Sequence, residues 1–167
     1  MNEVLKRVAL FVRDLLTYDE QLIRIGRQNF EQVDFETNYI VVDALGRSER
    51  SASLQDYDGD TEIMKLGGIW KGPVTLDFYG SGTYDRAIDF SLRSMSQAAI
   101  ELKKDLGIMI YHPTGPTDVK QLTGQIYGER IQIEMMVEIS QEVDIATLRI
   151  DTAQLEIRTE EGIQYDG

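Results

Sequence analysis

The stretch VTLDFYGSGTYDRAIDF, residues 74–90, changes its period halfway. In the first half Val74, Leu76 and Phe78 alternate with Thr75, Asp77 and Tyr79, the two-residue repeat of a strand with one face on a core. After Gly80, Ser81 and Gly82 the repeat turns helical. Tyr84, Ile88, Leu92, Met95, Ala99, Leu102 and Leu106 follow steps of four and three residues, which predicts one continuous core-facing helix. Thr83 is placed to cap it, Asp85 and the pair Lys103 and Lys104 suit its dipole, and Gly107 can end it in the left-handed conformation. At about 1.5 Å per residue such a helix runs roughly 34 Å, enough to cross a sheet.

A strand that turns on glycines into a helix is also a layout that holds phosphate, because the first helical N–H groups are free. A phosphate loop needs G-x-x-x-x-G-K-[ST], whereas Arg86 is the nearby cation here and already sits inside the helix. There is no third glycine at dinucleotide spacing, and Ser81 is not in a G-x-S-x-G elbow. The glycines therefore read as a structural corner.

Outward from that corner, Pro73 suggests an edge position or a bulge. Residues 39–45 form a β-branched strand and 62–66 a weaker one, and the polar residues 46–60 between them predict a long hairpin with a mobile arm. At the amino end Val4, Val8, Phe11, Val12 and Leu15 mark an amphipathic helix. Asp19 caps a predicted short helix over 20–26, and 29–36 is a connector. Residues 107–111 are a short strand, and Pro113, Gly115 and Pro116 break the chain after it. Ile131, Ile133, Met135, Val137 and Ile139 then alternate as a long antiparallel strand, with Glu134 and Glu138 on its wet face. Leu148, Ile150, Leu155 and Ile157 suggest a final strand or strand pair, and 159–167 an acidic tail that frays. The expected fold is α+β, a mainly antiparallel sheet packed against a long helix and an amino-terminal helix, in a single domain over 1–167.

The chain has 167 residues, 42% of them hydrophobic, which suits one core. Its 29 acidic and 17 basic residues leave a net charge of -12, which opposes tight wrapping of nucleic acid. No cysteine is present, so disulfide and thiolate chemistry are excluded. The first apolar stretch, 4–16, is interrupted by Lys6, Arg7, Arg13 and Asp14 and reads neither as a signal peptide nor as a membrane span, which predicts a soluble, non-secreted protein.

No constellation of residues completes a catalytic site, and no cofactor or metal is expected. Asp56, Asp58 and Asp60 begin like a calcium loop, but Thr61 and Gly67 stand where that loop needs glycine and glutamate. His112, the lone histidine, makes a poor metal site without a second soft ligand. Trp70 and Tyr79 bracket a strand and either anchor a partner or finish the core. Arg47 and Arg50, with the aspartates of the same arm, offer both signs of charge for bridging to a neighbouring copy.

Three segments carry a family resemblance: NYIVVDAL (38–45), GIWKGPVTLDFYGSGTYDRAIDFSLRSM (68–95) and GQIYGERIQIEMMVEI (124–139). A tryptophan before an apolar strand, a D-[FIV]-Y-G-like turn at 77–80, a following helix and a Y-x-x-R-like start at 127–130 together resemble the phage neck and tail terminator proteins. The resemblance implies a structural virion protein, not an enzyme, that forms a hexameric ring. Such a ring caps the tail tube, joins the tail to the head connector and lets genomic DNA pass without specific binding. Its implied partners are further copies of itself, the tail tube protein and the neck proteins, with no membrane. Arg47, Arg50, Asp56, Asp58, Trp70 and Arg130 are the expected subunit or partner contacts. The competing readings are a head-completion or connector protein of the neck and, from another class, a small-ligand or calcium-binding module.

Overall fold

A computed structural model describes residues 2–26, 37–44, 49–111, 113–119, 121–123 and 126–147. The connector at 29–36, Arg47, His112 and the final strand and tail from 148 onward lie outside the described residues. In chain order the elements are α1 (Asn2–Leu16), β1 (Ile23–Ile25), β2 (Tyr39–Ala44), β3 (Glu49–Asp58), β4 (Ile63–Tyr79), α2 (Thr83–Arg93), α3 (Gln97–Asp105), β5 (Ile108–Ile110), β6 (Thr117–Asp118), β7 (Gln121–Thr123), β8 (Ile126–Gly128) and β9 (Arg130–Ala146). The α+β class is as expected.

The sheet is built on one pair of strands. β4 and β9 are each 17 residues long and run antiparallel in unbroken register, from Ile63 opposite Ala146 to Tyr79 opposite Arg130. The two predicted strands at 62–66 and from 70 onward are thus one strand, interrupted in pattern only by the small residues Gly67 and Gly68. β2 covers the other edge of β4 from Val74 to Tyr79, and β3 covers the same edge from Ile63 to Lys71. Gly72 and Pro73 fall between them, where a missing N–H disrupts no ladder on that side. The polar segment expected as an arm at 46–60 is therefore largely strand β3. β1 lies parallel to β2, and β5 and β6 line the far edge of β9.

Alternation in this pair decides which residues meet the helices. Val74, Leu76 and Phe78 are buried together with Ile131, Ile133, Met135, Val137 and Ile139, and α1 adds Leu5, Val8, Phe11, Val12 and Leu15 to the same core. Asp19 caps as expected, its carboxylate accepting from the Gln21 N–H at 3.0 Å, but only a 3-10 turn follows. The β-branched Ile23 and Ile25 leave that turn as strand β1 rather than continuing a helix to residue 26.

The predicted long helix is two helices, broken at 94–96. Serines cause the break: Ser94 donates from its hydroxyl to the Ser91 carbonyl at 2.7 Å, and the Ser96 hydroxyl accepts from the Ala99 N–H at 3.2 Å as a new cap. Thr83 does not cap α2. Gly82 holds the cap position at φ 62° and Thr83 is buried. The face turned to the sheet is Thr83, Ala87 and Phe90, because small Ala87 lets the helix approach while Phe90 fits between Phe11 and Phe78, ring centroids 6.3 and 6.2 Å away. The stripe Tyr84, Leu92 and Met95, expected in the core, is exposed; Leu92 and Met95 are each 62% accessible. Gly107 ends α3 in the left-handed region as expected.

Phe90→Ala is expected to lower unfolding free energy in urea by about 3–5 kcal/mol, the range for emptying a buried aromatic site. Leu92→Ala should change it by no more than about 0.5 kcal/mol. The reverse ranking would restore the sequence-predicted helix face.

Candidate functional site

The corner after β4 is filled by the protein itself. Asn38, just before β2, accepts the Ser81 N–H on Oδ1 at 2.8 Å, so the side chain occupies the place of a bound anion. Gly80 has φ 97°, and a β-carbon there would collide with Asn38 Oδ1. Arg86 turns inward as well. Its guanidinium donates to the carbonyls of Tyr79 at 2.6 Å and Ser81 at 3.2 Å, and to the Tyr18 hydroxyl at 3.0 Å. That hydroxyl in turn donates to the Asn38 carbonyl at 3.0 Å. The cation that phosphate would need is thus used to hold β4, β2 and the end of α1 in one knot.

On the sheet face away from the helices, four strands carry a ladder of cations and rings. Tyr39 and Tyr79 are cross-strand partners and stack with centroids 4.6 Å apart and planes 5° from parallel. Arg24 lies over Tyr39 at 5.4 Å, and Arg130, the partner of Tyr79 on β9, lies over Tyr79 at 5.6 Å. Arg130 also forks onto Asp77, with Nε and Nη2 each 3.1 Å from a carboxylate oxygen, and Gln132 donates to the same carboxylate at 3.0 Å. Asp77 is only 4% exposed, so this bidentate pair is what makes its burial tolerable. Burial pushes the Tyr79 phenol up to about 12, against the pull of Arg130, and raises Tyr39 in the same way. Burial is the largest single influence on Arg130 and opposes its charge, but the hydrogen bonds it donates to Asp77 and the attraction of Asp77, Tyr79 and Tyr39 together outweigh it and hold the guanidinium above its ordinary value.

Of the other expected contact residues, Arg50, Asp56, Asp58 and Trp70 lie on the distal half of the sheet. β3, β4 from 63 to 70 and β9 from 140 to 146 extend beyond Ile139, the last buried residue of β9; the side chains of β3 and β9 there are mostly exposed, and those of β4 between them are mostly half-buried. Arg50 pairs across from Trp70, and both lean over Gly68, where a β-carbon would stand 3.5 Å from Arg50 Nε and 3.3 Å from Trp70 Nε1. Asp58 closes the β3–β4 turn, accepting the Asp60 N–H at 3.0 Å and the Thr61 hydroxyl at 2.8 Å. These bonds, the Asp60 N–H first, pull its carboxyl below the usual range. Asp56 is exposed two register pairs along the strand from there. No group of three or more potential metal ligands forms among the described residues.

The structure therefore gathers Arg50, Asp56, Asp58 and Trp70 on one arm and places Arg130 in the ladder some distance along β9. Sequence reasoning missed Val143 and Ile145, exposed at 61% and 42%. The signal was available: they continue the odd-numbered alternation of 131–139, and Gln141 hides the continuity.

A family model described as phage neck terminator protein matches residues 2–162 of the 167. No curated protein matches the chain. Two of the motifs quoted for the resemblance meet in space, since Asp77 of the D-F-Y-G turn is the partner of Arg130.

Removing that partner leaves a part-buried guanidinium uncompensated. Asp77→Ala is expected to cost on the order of 2–3 kcal/mol in urea unfolding, somewhat below the range for a fully buried pair because Arg130 is partly exposed. A loss under about 0.5 kcal/mol would mean that the pair does not hold β4 to β9.

Proposed function

This chain belongs to the phage neck terminator family, and we propose that six copies of it form a ring that stops the tail tube and joins it to the head connector. The family is one of structural phage neck proteins, which places the chain in the virion. In the proposed reading the ring assembles in the host cytoplasm, meets the tube protein on one face and neck proteins on the other, and passes the genome through its lumen. Each subunit acts as one domain, without enzymatic chemistry.

The observation that carries the reading is the distal arm. A sheet that outruns its own helix layer and leaves apolar side chains in water suits a protomer completed by its neighbours. Arg50, Asp56, Asp58 and Trp70 lie on that arm, and Arg47 adjoins it in sequence, so these are the proposed subunit contacts. Arg130 contributes by fixing the sheet on which the arm is mounted. A net charge of -12 gives the DNA backbone little to adhere to, which suits a passage rather than a binding site. No specific observation favours the head-completion reading, and the calcium reading loses support because Asp58 is bonded within its own turn.

Native mass measurement of the purified chain, alone and with tail tubes lacking their terminator, tests the proposal. The expected result is a six-fold assembly under at least one condition, visible by electron microscopy as a ring on the head-proximal tube end. A chain that stays monomeric in both and leaves tubes free to lengthen would overturn it.

A further inference from the structure

No further inference is drawn: the strongest candidate, the sheet face of the β3–β4–β9 arm around Trp70, Val143 and Ile145, lies open among the described residues, and nothing in the structure shows what covers it.

Discussion

The antiparallel pairing of β4 with β9 is the constraint from which the rest of the molecule follows. With 17 residues on each strand in one register, a single alternation decides inside and outside along the whole length. Near Tyr79 and Arg130 that alternation feeds a sheet covered by helices on one side and by the cation–ring ladder on the other. Past Trp70 and Ile139 the same alternation persists after the helices have ended. The arm is therefore a consequence of strands longer than the layer that covers them. A one-residue slip of either strand would turn its core residues outward and its polar face, Asp77 on β4 or Gln132 and Glu134 on β9, toward the helices.

The residues behind the family resemblance have structural work in this chain. Asp77 and Arg130 lock the ends of the two long strands, and Gly80 allows Asn38 to accept the Ser81 amide of the turn that launches α2. Arg86 ties the same turn to Tyr18 at the end of α1. These contacts fix the angle between the sheet and the helices packed on it. Asp77, buried with Arg130 and Gln132 on its carboxylate, and Arg86, whose terminal nitrogens are paired although its buried Nε has no partner among the described residues, favour this arrangement because another would leave more of these groups unpaired.

Much of this was legible in the residues. The alternation at 74–79 and 131–139, the amphipathic α1 and the glycine corner appear where the pattern places them, because each depends on nearest neighbours along the chain. The face of α2 was not legible. Tyr84, Leu92 and Met95 form as good a stripe as Ala87 and Phe90, and only the three-ring contact of Phe90 with Phe11 and Phe78 selects between them. The break at 94–96 was masked by helix-forming neighbours, although Ser94 and Ser96 carried the signal for it. On the arm, Asp56 and Arg50 drew attention through charge, while Val143 and Ile145 passed unnoticed because a polar residue, Gln141, stands between them and the core alternation. The stripe misread as core and the strand end left out of the sheet are the two surfaces that the monomer leaves uncovered.

The central claim is that one end of the β4–β9 pair belongs to the monomer and the other to the assembly. Amide hydrogen exchange, measured on the free chain and on the ring, tests it most directly. Residues 131–139 should be equally protected in both, whereas 140–146 should gain protection only on assembly. Equal protection of 140–146 in the free chain would contradict it, since the arm would then be complete without a neighbour.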